Sequence, residues 1–247
     1  MAAAAQLFPH GDAVYTRETQ QLAISDGEIN FLWAFIQGSI MTPETRSVLL
    51  RGFGFCERHA WIHLSVEMAF RQRHFLGPVI LYRALIDKAV QAVQPQRFAS
   101  RHRIRQLRAS GPCLLCALNV SRAGAGASSQ ARLQRGRDST KLCAFATNLA
   151  PLWCPKVCTL CAGTAEKADA LSQCRPHLLA AAKMKKPIDL SQQRGMLQEL
   201  SEHLARYERS FVAGAAEPRD YDRAALIAAI GWCCGWRPLI ALLHHNP

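Results

Sequence analysis

Apolar positions recur three and four apart along most of this chain. Ile29, Leu32, Trp33 and Ile36 follow i, i+3, i+4, i+7 spacing, the stripe of a helix that buries one side, and Asp26 is its candidate N-cap. Thr42-Pro43 starts a second helix, with proline where a missing N–H costs nothing, and Gly52 and Gly54 end it. A third helix runs from near Cys56 to about Phe75. Gly77-Pro78 opens a fourth, which carries Ile80, Leu81, Ala84, Leu85, Ala89 and Val93 and stops before Pro95. RFASRHRIRQLRAS is a basic amphipathic segment closed by Gly111-Pro112, and CLLCALNV begins another helix. AGAGASSQ has the composition of a flexible loop.

Further on, a short helix over residues 140–149 meets Pro151, LWCPKVCTLC reads as irregular, AGTAEKADAL as helical, and Pro176 opens HLLAAAKM. From about Asp189 a long helix puts Leu197, Leu200, Leu204, Tyr207 and Phe211 on one face. EPRDYD is a loop, and a last helix fills residues 223–236 ahead of an apolar tail. No stretch alternates with period two and β-branched residues. The expected fold is therefore all-α, an irregular bundle of about eight to ten helices without significant sheet. It divides into an N-terminal helical unit (1–96), a basic linker helix (97–112) and a C-terminal helical unit (113–247).

Composition narrows the class without naming a function. A chain of 247 residues, 49% hydrophobic and 19% charged, has the make-up of a folded protein rather than a disordered one. The start, MAAAAQLFPHGD, lacks the basic and apolar regions of an export signal, so the cytoplasm is the expected location. The apolar run before Arg237 and Pro238 is too short to span a bilayer. The net charge of +12 is uneven: residues 97–137 hold nine arginines and no aspartate, glutamate or lysine. Such a block attracts phosphate, and Arg97, Arg101, Arg103, Arg105 and Arg108 are the candidate nucleic-acid contacts. Only Phe98 supplies an aromatic ring there, and a solvated linker is the plainer reading.

The cysteines change the picture most. Ten of them, without an export signal, favour metal or redox chemistry over a disulfide framework. Cys56 and His59, and Cys174 and His177, are CxxH pairs that each open a helix. Cys113 and Cys116, and Cys158 and Cys161, are CxxC pairs. Thiolate sulfur and imidazole nitrogen are the donors of closed tetrahedral zinc sites, and the eight residues suffice for two structural Cys3His centres. A helix N-terminus also favours the thiolate. Spacing leaves the pairing open. Cys158, Cys161, Cys174 and His177 have a finger-like C-x2-C-x12-C-x2-H arrangement. A helix in the intervening stretch would carry the chain about 15 Å away with little left to return it. The alternative joins Cys113 and Cys116 to Cys174 and His177. Cys56 and His59 then meet Cys158 and Cys161, or lack a full set.

Other chemistry competes. Cys154, Cys158 and Cys161 have the spacing that holds an iron–sulfur cluster in radical S-adenosylmethionine enzymes, but the remaining chain is too short and too helical for their barrel. An iron–sulfur cluster with Cys174 as fourth ligand is the alternative cofactor, and a thiol redox sensor an alternative role. His63 lies one helical turn from His59 and reads as a packing or solvated residue. Cys233 and Cys234 read as core. No HExxH, GxSxG, Walker loop or strand-borne GxGxxG is present.

GFCERHAWIHL, GPVILYRALI, GPCLLC, LSQCRPHLL and the ending YERSFVAGAAEPRDYDRAALIAAIGW resemble a bacterial family of helical proteins, of no settled activity, built from two CxxC…GxCxxH units. The resemblance spans residues 28–235. It implies that each CxxC serves the next CxxH downstream, which joins Cys113 and Cys116 to Cys174 and His177. The chain departs from the pattern twice. The CxxC due some thirty residues before Cys56 is absent, the region reading TRETQQLAIS, and Cys154, Cys158 and Cys161 are extra. The expected role is that of a zinc-stabilised helical protein that binds a protein partner or itself. Closed Cys3His sites offer substrate no coordination position.

Overall fold

The computed structural model describes residues 22–71, 75–95, 100–124, 126, 128–163, 173–186 and 188–245. Among them every regular element is a helix, as the periodicity predicts. The first, α1 (Asp26–Ile36), begins at Ser25 rather than Asp26. Ser25 Oγ accepts from the Glu28 N–H at 3.3 Å, and the Glu28 carboxylate accepts from the Ser25 N–H at 2.9 Å. This reciprocal box satisfies two otherwise unpaired donors. Helix α2 (Pro43–Gly52) ends at Phe53, which holds a left-handed backbone at φ 57°. That strain is offset by its position: the ring is wholly buried and lies beneath Lys88 Nζ at 4.7 Å and the Arg175 guanidinium at 4.5 Å.

Two helices form the centre. In α3 (Glu57–Phe70) every residue from His59 to Ala69 is buried, so its sequence shows little polar face. It stops at Phe70, short of the expected Phe75. After α4 (Leu76–Val93) come the short α5 (Ser100–Arg105), α6 (Leu114–Ala117), α7 (Gln130–Arg137), α8 (Thr140–Asn148), α9 (Ala150–Trp153), α10 (Thr159–Ala162) and α11 (Arg175–Lys183). Most of the expected helix AGTAEKADAL lies outside the described residues. Helix α12 (Ser191–Arg209) turns Gln193, Leu197, Leu200, Leu204 and Tyr207 inward and packs along α4, its start held by Asp189 Oδ1, which accepts from the Ser191 N–H. The second central helix is α13 (Asp220–Cys234), buried throughout from Ala224 to Cys234. One continuous apolar core runs from Ile24 to Leu243.

The apolar tail expected after Trp236 is instead a helix, α14 (Arg237–His245). Pro238 opens it, because the first turn of a helix needs no N–H from that residue. Leu239, Ile240, Leu242 and Leu243 are buried, and α14 packs on α3, α8 and α10. No helix among the described residues is long and apolar enough to cross a membrane.

Within α3, His63 and Glu67 form a buried pair 3.8 Å apart, and neither His63 nitrogen finds a hydrogen-bond partner among the described residues. The His63 ring lies between Phe35 and Phe55. Burial pushes His63 down to about 3 and Glu67 up to about 8, so both are neutral at pH 6. The signs oppose each other. His63 contributes stability present above its ordinary 6.5 and lost as pH falls through about 3. Glu67 contributes stability present below its ordinary 4.5 and lost as pH rises through about 8. Glu67→Gln is therefore expected to be more stable than the parent at pH 8 and near parity at pH 4, read from denaturant midpoints. An unchanged difference across that range refutes the assignment.

Candidate metal centres

Eight side chains converge as two tetrads: Cys56, His59, Cys113 and Cys116, and separately Cys158, Cys161, Cys174 and His177. The pairing implied by the family resemblance is thus corrected for Cys113 and Cys116. They join the CxxH upstream of them, not Cys174 and His177. Nor do Cys56 and His59 meet Cys158 and Cys161. The finger-like spacing closes after all: whatever path residues 164–172 take, Gly163 turns at φ 72° and Cys174 returns to 3.8 Å from Cys161.

The four pairs share one local geometry. Cys56, Cys113, Cys158 and Cys174 are the N-cap residues of α3, α6, α10 and α11, all with extended ψ. The second ligand of each pair sits three residues on, in the first helical turn. An N-cap side chain and the third helical residue point to the same spot, which is why serine and glutamate make capping boxes there. Here the cap thiols leave their own helices uncapped and turn toward the tetrad. Two helix N-termini thus face each centre, and their partial positive charge suits a thiolate-rich site.

Distances fit one ion per tetrad. A tetrahedral ion bonded to sulfur at about 2.3 Å holds its sulfurs about 3.8 Å apart, and a sulfur–nitrogen edge is slightly shorter. Cys56 and Cys116 Sγ are 3.8 Å apart, and His59 Nδ1 lies 3.2, 3.5 and 3.3 Å from Cys56, Cys113 and Cys116. In the second tetrad Cys161 and Cys174 Sγ are 3.8 Å apart. His177 Nδ1 lies 3.2, 3.5 and 3.1 Å from Cys158, Cys161 and Cys174. Cys154 stands outside both groups, so the cluster motif over Cys154, Cys158 and Cys161 does not assemble. A [4Fe–4S] cluster takes one thiolate per iron, which would spread the sulfurs beyond this spacing.

Crowding three thiols also sets their ionisation. Cys113 is pulled down by hydrogen bonds from Cys56 and His59, while Cys56 is pushed up by Cys113 and by burial. In the second tetrad Cys158 is pulled down through Cys161 and Cys174, and Cys174 is pushed up through Cys158 and Cys161. Several thiolates cannot coexist here unless a cation neutralises them, and a bound divalent ion does so.

The surroundings include residues that spacing alone did not single out. Glu28, wholly buried, accepts from His59 Nε2 at 2.9 Å and pairs with Arg58. Burial would raise Glu28, but hydrogen bonds from His59, Arg58 and the Ser25 N–H override it and hold the carboxyl well below the usual range. A carboxylate on Nε2 fixes the tautomer that presents Nδ1 to a metal. Glu28→Gln is expected to weaken ion binding at the first tetrad about 10- to 100-fold, leaving the second unchanged, measured by chelator competition. The structure shows Glu28 also closing the capping box with Ser25, and nothing local in the sequence marks its second duty at His59.

The second tetrad is tied to the centre of the molecule. Arg175, between Cys174 and His177, is buried and donates to Cys233 O at 2.7 Å and Leu107 O at 3.0 Å. The backbone N–H of Trp236 acts on Cys161, lowering its thiol against the rise imposed by Cys158 and burial. The Arg237 N–H donates to Glu57 Oε1 at 3.2 Å, and Trp61 Nε1 donates to Gly235 O at 2.9 Å.

Four of the nine arginines in the basic segment brace helices. Arg103 donates to Val93 O and Gln94 O at the end of α4. Arg132 lies 3.8 Å over the Trp33 ring, Arg135 donates to Ala69 O at 2.8 Å, and Arg137 pairs with Asp26. Arg105, Arg108 and Arg122 are exposed. Arg97 lies outside the described residues, and for Arg101 only the backbone, within α5, is described. Cys233 and Cys234 are buried in the core, as expected. No protein-family model, no curated protein and no solved structure matches this chain.

Proposed function

We propose that this is a zinc-stabilised helical protein that acts by binding rather than by catalysis, with two closed Cys3His centres holding its helices in place. The observation that carries this reading is the pair of tetrads, each with three sulfurs and one nitrogen at the spacing of a single tetrahedral ion. Three thiolates and an imidazole suit zinc over hard cations, and four protein ligands leave no open position for substrate or water. None of the ten cysteines is joined in a disulfide, which fits a reducing compartment. Kinship with the bacterial CxxC…GxCxxH proteins belongs to the same proposal. The second tetrad supports it, since there the CxxC serves the CxxH that follows; the first departs from it. Because Arg103, Arg132, Arg135 and Arg137 brace helices, which leaves Arg105, Arg108 and Arg122 as the segment's exposed arginines without such a role among those described, a protein partner or a second copy is favoured over nucleic acid. X-ray absorption at the zinc edge tests the centres: about three sulfurs near 2.3 Å and one nitrogen near 2.0 Å are expected. A shell dominated by oxygen overturns the reading.

A further inference from the structure

The two tetrads have the same donors and opposite accessibility. Cys158, Cys161 and Cys174 are 1%, 3% and 1% exposed. In the first tetrad Cys116 is exposed and Cys56 and Cys113 are half-buried. Cys116 lies on α6, whose flanking residues 108–112 and 117–119 are exposed as well. Arg58 adds a cation beside the open face: its side chain is 42% exposed and its charge acts on both Cys56 and Cys116. A thiolate reacts only where an electrophile can reach it, and a zinc-bound thiolate keeps its nucleophilic electron pair. The buried tetrad therefore serves as an internal control with matched chemistry.

We propose that the first tetrad is a reactive modification site, with Cys116 as the nucleophile toward hydroperoxides and Cys56 as the thiolate that resolves it, and that the reaction releases the zinc ion held there. This inference rests on the zinc reading above. Cys116 sulfur attacks the peroxide oxygen, the O–O bond breaks, and the departing alkoxide or hydroxide takes a proton from water. Cys56, 3.8 Å away, then attacks the sulfenic sulfur, forms the S–S bond and expels hydroxide, which takes a second proton. Two thiolates lose two electrons in all, and one hydroperoxide is reduced to an alcohol, or water, and water. The ion keeps only Cys113 and His59 and dissociates. The second tetrad, enclosed by core side chains, keeps its ion.

The test uses the full chain with its native metal. Zinc is first counted, hydrogen peroxide or tert-butyl hydroperoxide is added, release is followed with a chromogenic chelator, and disulfides are mapped by mass spectrometry without reduction. The expected result is one ion released at least about tenfold faster than the other, together with a disulfide containing Cys116. A thiol reductant should restore binding. Cys116→Ser should abolish the fast phase, and the wild-type disulfide map stands even where that variant binds one ion only. Loss of both ions at one rate, loss of neither, or a first disulfide among Cys158, Cys161 and Cys174 overturns the proposal while leaving the zinc reading intact. A chain that carries no zinc at the outset removes the zinc reading and the proposal with it.

Discussion

A chain in which Cys161 is replaced by serine is expected to lose its second ion and, with it, the packing of α13 and α14. A structural zinc contributes on the order of 10 kcal/mol of apparent folding free energy, comparable with the whole stability of a typical domain. The second tetrad is buried, and its surroundings join parts of the chain distant in sequence. The backbone N–H of Trp236 acts on the Cys161 thiol, and Arg175 links α11 to the end of α13 and to Leu107. Trp236 in turn stacks on Trp153 at 5.6 Å and lies 6.4 Å from Trp61. The readout is a red-shifted tryptophan emission and loss of a cooperative thermal transition, with part of the helical signal retained. Cys116→Ser, at the exposed tetrad, should lose one ion and keep the cooperative melt. Equal melting curves for the parent and Cys161→Ser would show that this tetrad does not support the core.

Gly235→Ala is expected to destabilise the chain by about 3–5 kcal/mol, combining left-handed strain with overpacking. Gly235 joins α13 to α14 at φ 117° and ψ 164°, a region that side chains avoid. A Cβ there would stand 2.3 Å from Glu57 Oε1, the atom that accepts from the Arg237 N–H. Glu57 follows Cys56, so the clash reaches the first tetrad through α3 and the second through Trp236. Chemical denaturation should show the midpoint falling with the slope unchanged. A loss under about 1 kcal/mol would mean that the junction relaxes freely.

What could be read from residue order alone was what is local. The N-cap and third-residue placement of the pairs at Cys56, Cys113 and Cys174 follows from helix starts that the sequence shows, whereas Cys158 and Cys161 lie in a stretch that reads as irregular, because the helix they open is only four residues long. The stripe of α12 and the proline start of α2 are local too. Pairing is not local. Cys113 and Cys116 meet Cys56 and His59 across more than fifty residues, because packing of α1 and α3 sets where the segment around Val120 rests. Gly27 shows how close that contact is, since a Cβ there would lie 2.2 Å from Val120 O. The expected separation of Cys161 from Cys174 assumed a full helix between them. Helix α14 was hidden because Pro238 reads as a breaker until the turn before it is seen. Helix α7 was hidden because its sequence, QARLQRGR, is mostly polar and buries only Leu133 and Gly136. Glu28 was hidden in both its duties, since the sequence pattern puts the helix start on Asp26 rather than Ser25 and nothing local marks the partner of His59.

Two closed-shell ions are proposed to hold this fold, and elemental analysis of the chain purified without added metal tests that most directly. Two zinc ions per chain, one for each tetrad, is the result predicted. A folded chain that melts cooperatively and carries no metal would contradict it.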